Sequence, residues 1–171
     1  MGRLSIHSTS YGTIRVIGQA GHVYVGKYCS LADNIKAIML GHNPKNISTY
    51  PFNRMDGYPE AKASRGHPIA YGRIHIENDV WIGHSVTLIG GIIIADGAVI
   101  ASDAVVTKNI DPYTIVGGNP AKEIGKRFDS DIIDELLNIR WWDWEPEKIK
   151  ENSGLLCSEK IDEFIKKHGG K

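Results

Sequence analysis

The stretch "IENDVWIGHSVTLIGGIIIADGAVIASDAVV", residues 76–106, places an aliphatic side chain at every sixth position: Ile76, Ile82, Leu88, Ile94, Ile100 and Val106. A second row, Val80, Val86, Ile92, Ala98 and Ala104, stands two residues ahead of five of these. Side chains alternate between the two sides of an extended chain, and six and two are both even, so all these residues face one way. Between them lie turn formers: Gly83-His84, Gly90-Gly91, Asp96-Gly97, Ser102-Asp103 and Lys108-Asn109. Each strand is therefore only a few residues long before the chain bends. An antiparallel sandwich also has short strands and frequent glycines, but it does not require one unbroken six-residue register. A chain that bends the same way at every hexad winds into an all-β solenoid, stacking short strands in parallel.

A looser version of the pattern occurs earlier, in "VYVGKYCSLADNIKA", residues 23–37. There Val25, Leu31 and Ala37 are six apart, with Val23, Cys29 and Ile35 beside them. The winding thus begins before residue 25 and resumes after an interruption at about residues 41–68. That interruption opens with "GHNPKNISTYPFNR", residues 41–54, which sets His42 near a polar and aromatic cluster.

The tail has a different period. In "DSDIIDELLNIRWWDWEPEKIKENSG" the residues Ile132, Ile133, Leu136, Leu137 and Arg140 carry helical spacing, with Asp129 or Ser130 as N-cap. A second amphipathic helix is expected over "SEKIDEFIKKHG", with Ile161, Phe164 and Ile165 inward. Trp141, Trp142 and Trp144 could form a ligand platform, but beside an apolar helix they are expected to pack against the open end of the solenoid. The expected division is a solenoid over residues 1–128 and a helical extension over 129–171.

Composition narrows the function. With 20 basic and 20 acidic side chains in 171 residues, the charges cancel. No basic surface is left over for nucleic acid or an anionic membrane, and a small-molecule partner is expected. Cys29 and Cys157 lie far apart and in no metal-ligand spacing, as expected of reduced thiols in a cytoplasmic protein. The N-terminus lacks an apolar signal core, no run approaches a membrane span, and Ile6 stands where a lipidation motif after Gly2 needs a hydroxyl.

Residues 78–128, from "NDVWIGHSVTLIGG" to "NPAKEIGKRF", resemble the C-terminal half of hexapeptide-repeat acyltransferases. "STYPF" after a His, together with "RWWDW", resembles their xenobiotic acetyltransferase branch, which includes chloramphenicol and streptogramin acetyltransferases and sugar O-acetyltransferases. The resemblance spans roughly residues 15–150. Hexads alone would also fit γ-class carbonic anhydrases, but His75 and His84 are nine residues apart, not a whole number of hexads, so no metal is expected. The resemblance implies a left-handed parallel β-helix and a homotrimer with active sites between subunits. It also implies acetyl-CoA as co-substrate and direct acetyl transfer to a sugar hydroxyl. The hand comes from the family alone, since the general rule for crossovers favours the other.

Acetyl transfer requires the acceptor to lose a proton as it attacks, and imidazole titrates in the right range to take it. Seven histidines compete: His7, His22, His42, His67, His75, His84 and His168. Only His42 matches the family's catalytic position, six residues before "STYPF". No GxSxG elbow or base-paired cysteine suggests a covalent intermediate. For the coenzyme, the resemblance implicates Ser102, Thr107 and Lys108 along the arm, and Lys122 and Arg127 at the phosphates, with Lys126 nearby. His84 occupies a position held by Ser in related sugar acetyltransferases, and Trp81 is expected beside the coenzyme arm or acceptor at a subunit cleft. Tyr50, Phe52 and Asn53 are candidate acceptor contacts, while Ser48 and Thr49 are expected to fix the loop backbone. Antibiotic O-acetylation, amino-sugar N-acetylation and a non-catalytic scaffold are the rival readings.

Overall fold

The computed structural model describes residues 3–64 and 68–170, so Gly2 and His67 lie outside the described residues. The short strands fall into three parallel sheets. Sheet A holds Arg3–Ile6, His22–Val25, Ile74–Ile76 and Ile92–Ile94. In sheet B, Ser30–Leu31, Trp81–Ile82, Val99–Ile100 and Thr114–Gly117 run parallel, and Lys122–Lys126 closes the edge antiparallel. Sheet C holds Ile14–Ile17, Ile35–Ile38, Thr87–Ile89 and Val105–Val106. The chain visits A, B and C in that order, and Tyr11 and Ile110 supply single bridges to sheets B and A where no strand is long enough. Within residues 74–106 the partners are 18 residues apart, Ile74 with Ile92, Trp81 with Val99 and Thr87 with Val105, which is three hexads per circuit.

The hexad rows form the core. Ile82, Leu88, Ile94, Ile100 and Val106 are each 0% exposed, and Val80, Val86, Ile92, Ala98 and Ala104 are buried with them. The earlier, looser rows join the same cluster through Val23, Val25, Cys29, Leu31, Ile35 and Ala37. Bends between sheets are as regular as the core. At the A-to-B corner, Tyr28, Asp79, Gly97 and Tyr113 stack with φ of 56°, 55°, 69° and 54°. The backbone N–H groups of Asp79, Gly97 and Tyr113 each donate to a carbonyl one circuit back, at 2.8–2.9 Å. Left-handed backbone costs a residue with a Cβ about 1–2 kcal/mol, and this corner ladder offsets it. At Gly97 a Cβ would also sit 2.6 Å from the Tyr113 ring, so glycine is needed there.

The insertion leaves sheet C through Leu40–Gly41 and returns through Ile69–Ala70, a two-residue antiparallel ribbon at its base. It contains two 3-10 turns, Phe52–Arg54 and Pro59–Ala61, neither with a buried residue.

The tail forms α1 (Ser130–Ile139), α2 (Pro146–Leu156) and α3 (Ile161–His168). This differs from the expected pair of helices in three respects. Arg140 turns left-handed at φ 46° and ends α1, and Pro146, at the first turn of α2, starts a separate helix. Asp129 stands at the N-cap of α1, but its side chain makes no capping bond. The tryptophans pack along the A-to-B corner rather than over an open end. Trp142 is 1% exposed in a cluster with Tyr113, Ile133, Leu136 and Phe164, and the Trp141 ring lies 5.0 Å from that of Tyr28, two circuits into the winding. A Lys27–Asp143 ion pair at 2.9 Å ties the same corner to the tail. No described helix is long and apolar enough to cross a membrane.

Candidate active site

The ribbon that opens the insertion delivers its histidine. Gly41 lies directly under the Tyr71 hydroxyl, and any Cβ at 41 would occupy that oxygen's space. The next residue, His42, is exposed, and its Nδ1 lies 2.7 Å from the Thr49 carbonyl oxygen. A carbonyl only accepts, so Nδ1 carries a proton and donates in this contact. The loop between them is shaped by its own side chains. Asn43 Oδ1 accepts the Lys45 N–H at 3.0 Å, and Ser48 Oγ accepts the Tyr50 N–H at 3.1 Å. These turns hold the Thr49 carbonyl in place for the ring.

His42 lines a cleft of about 790 Å³ with Gln19, Leu40, Pro51, Arg54 and Pro68. Tyr50, Phe52 and Asn53 sit beside it rather than in its lining. Tyr50 and Phe52 have ring centroids 4.8 Å apart, Phe52 and Tyr58 likewise, and Asn53 Nδ2 reaches the Ser64 carbonyl at 3.5 Å. The sequence alone did not mark Arg54, the last residue of the stretch 41–54, nor Gln19, which lies in a bend far upstream. Gly41 and Tyr71 were missed as well, because their contact is made only when the ribbon closes.

A second groove, about 410 Å³, runs along the outer face of sheet B and is lined by Tyr28, Ser30, Trp81, Val99, Ile115 and Arg127. Trp81 is 56% exposed there. The Arg127 guanidinium is engaged within the protein: its Nη1 donates to Asp79 Oδ2 at 2.9 Å and to the Gly97 carbonyl at 2.8 Å. It also lies over the Tyr113 and Phe128 rings. Burial raises the Asp79 carboxyl above its ordinary range, with Arg127 pulling the other way. Arg127 thus clamps the corner column to the start of the tail, a job the sequence did not reveal.

His84 and Ser102 stack one circuit apart at the B-to-C corner, and the His84 backbone N–H donates to Ser102 Oγ at 3.2 Å. Thr107 and Lys108 are exposed on the C-to-A bend, the corner from which the insertion departs two circuits earlier. Lys122 and Lys126 are exposed at the two ends of the antiparallel edge strand. Cys29 is buried, and desolvation pushes its thiol up to about 11, which makes it a poor nucleophile. Among the described residues, no three His, Cys, Asp or Glu side chains are grouped to hold a metal. Among the described residues, the His42 cleft and the Trp81 groove share no lining residue.

Comparison with known proteins places this arrangement. A family model described as "Bacterial transferase hexapeptide (six repeats)" matches residues 73–108. A chloramphenicol acetyltransferase of Agrobacterium fabrum is 43% identical over 142 residues, covering 81% of this chain and 68% of its own length. Virginiamycin A acetyltransferase of Staphylococcus aureus is 42% identical over 146 residues, covering 84% and 66%. Among solved structures, a mutant of AntD, an N-acyltransferase from Bacillus cereus in complex with dTDP-4-amino-4,6-dideoxyglucose and coenzyme A, superposes with a TM-score of 0.58. It is 15% identical and covers 82% of this chain and 72% of its own, a likeness of fold alone. With its hexads in three parallel sheets and these relatives over most of its length, the chain belongs to the hexapeptide-repeat acyltransferases, in their xenobiotic acetyltransferase branch, and is an acetyl-CoA-dependent acetyltransferase.

Proposed function

We propose that the protein transfers acetyl from acetyl-CoA to a hydroxyl of a sugar or sugar-containing compound by direct attack, with His42 as general base. One observation carries this reading: His42 lines a cleft large enough for an acceptor while its Nδ1 donates to the Thr49 carbonyl, an orientation in which Nε2 is the ring atom to serve as base. Nε2 takes the hydroxyl proton, the oxygen bonds to the thioester carbonyl carbon, and the C–S bond breaks to release coenzyme A, which recovers a proton. The Thr49 carbonyl holds the ring and stabilises the imidazolium that forms.

Trp81 and the groove beneath it suit the narrow, largely apolar coenzyme arm, with Ser102, Thr107 and Lys108 along its course. Lys122, with Lys126, is assigned to the phosphates. Arg127, already paired with Asp79, acts through the strand that carries them. The backbone N–H of His84 is committed to Ser102, so the role of His84 lies with its ring.

The separation of cleft and groove in one chain supports a homotrimer, in which the insertion of one subunit lies over the outer face of the next. Exposed apolar residues on both parts, Ile47 and Tyr50 on the insertion and Trp81 on sheet B, are suited to such an interface. Family membership supports a left-handed β-helix over residues 1–128 with a helical extension over 129–171. It also supports a cytoplasmic location.

A second reading of the acceptor, an antibiotic hydroxyl, is favoured by the chloramphenicol and virginiamycin A acetyltransferases at 42–43% identity. Steady-state transfer to free sugars, nucleotide sugars, chloramphenicol and a streptogramin separates the two. In His42→Ala, kcat/KM for the best acceptor should fall about 10²-fold or more, with the coenzyme Kd little changed. Full activity in that variant would remove His42 from the mechanism.

A further inference from the structure

We infer that Arg54 makes the His42 cleft selective for acceptors that carry a carboxylate or phosphate beside the hydroxyl to be acetylated. The inference rests on the reading of that cleft as the acceptor site.

Among the described residues, the polar side chains in its lining are Gln19, His42 and Arg54, and the others are the apolar Ala20, Leu40, Pro51, Pro68 and Ala70. Among the described residues, no acidic one lines it. Arg54 forms no ion pair among the described residues, and the nearby carboxylate of Asp56 is directed to Lys62 at 3.8 Å. The root of Arg54 is fixed. Its N–H donates to the Pro51 carbonyl at 2.8 Å, and it closes the 3-10 turn Phe52–Arg54, whose first carbonyl accepts the Met55 N–H at 3.1 Å.

A guanidinium at the wall of a largely apolar cleft offers a planar fork for two anionic oxygens. A wholly neutral acceptor would leave that fork without a partner, and the net positive lining would attract an anionic acceptor before contact. At about 790 Å³ the space exceeds what a monosaccharide phosphate or a uronic acid needs.

The test measures binding by titration calorimetry to the coenzyme-A-loaded enzyme, using glucose 1-phosphate, glucuronate and glucose as probes. The wild type should bind at least one anionic sugar about 10-fold or more tightly than glucose, a charge-assisted contact's worth, and added salt should narrow the gap. Arg54→Ala should bring the ratio close to one, and Arg54→Lys should keep part of it. Comparing the two anionic probes tells whether the fork is set for phosphate or for carboxylate. Equal binding of all three probes, no measurable binding of either anionic sugar, or a preference that survives Arg54→Ala overturns the inference. The base assignment fails separately. Transfer that dies in His42→Ala without any anionic preference sinks only the Arg54 inference, whereas transfer that survives His42→Ala sinks the base and leaves the Arg54 ratio standing.

Discussion

Ile82, Leu88, Ile94 and Ile100 are each 0% exposed, whereas no residue of the insertion between 41 and 64 is buried. In the wound region every circuit repeats the same strands, corners and inward aliphatics, so each hexad shields its neighbours from water and is shielded by them. In the insertion, local turns made by Asn43 and Ser48 and a 2.7 Å contact between a ring and a carbonyl hold the chain in place of a core. Stability is therefore concentrated in the repeats, and the proposed mechanism puts the chemistry in the excursion. Rigid circuits fix the base of the insertion, and the insertion is left to shape a cleft that no repeat could form.

Substitutions can break that division or sharpen it. The largest effect is expected for Ile100→Ala, which opens a cavity in the middle of the stack. It should lower unfolding stability by about 2–5 kcal/mol in urea titrations, while the folded fraction keeps its acceptor KM. His42→Ala should do the reverse, leaving stability within about 0.5 kcal/mol of wild type as an exposed substitution while removing activity. A large loss of stability in that variant would show that the insertion shares the fold's load.

Arg127→Ala tests the seam between winding and tail. It leaves the Asp79 carboxylate without its partner inside the protein and should cost about 1–3 kcal/mol. A change in coenzyme affinity without that cost would instead return Arg127 to the phosphates. Gly41→Ala should push the Tyr71 hydroxyl aside and displace the neighbouring His42, lowering kcat/KM about 10-fold or more with a smaller loss of stability. A crystal structure of that variant with His42 unmoved and activity intact would show that the ribbon does not aim the base.

The smallest effect is expected at Asp143. A hydrogen bond from Lys27, aided by Arg140, holds its carboxyl below the ordinary range against a smaller opposing effect of burial. A carboxyl lowered in the folded state stabilises fully above about pH 4 and loses that contribution as pH falls through the lowered value. Asp143→Asn should therefore be slightly less stable than wild type at pH 7 and indistinguishable from it at the acid end. Parallel curves at every pH would mean the Lys27–Asp143 pair contributes nothing measurable.

The inward rows of the winding were legible because a period of six in an extended chain puts the same face inward at every strand, and burial then follows from the hydrophobic effect. His42 was legible as a candidate because it opens the long interruption of the repeat and stands six residues before "STYPF", the catalytic position of the family that the sequence resembles. The end of α1 was not legible, because its left-handed bend falls on Arg140 rather than on a glycine or asparagine, although Pro146 was a readable start signal for α2. Nor was the position of the tail. Trp141 and Lys27 are 114 residues apart in sequence, and nothing local says that their neighbours Tyr28 and Asp143 share a corner.

By itself, then, the sequence determined the hexad register, the buried rows, the place of the interruption and the position of His42 at its start. All of these depend on the spacing of residues along one chain, where periodicity and propensity act. Only the tertiary structure decided that Gly41 must accommodate Tyr71, that Thr49 fixes the tautomer of His42, that Arg127 is bound to Asp79 and that Arg54 shares a cleft with Gln19. Those are meetings between residues distant in sequence or held by loop geometry, and they exist only once the circuits have stacked and the ribbon at the base of the insertion has closed.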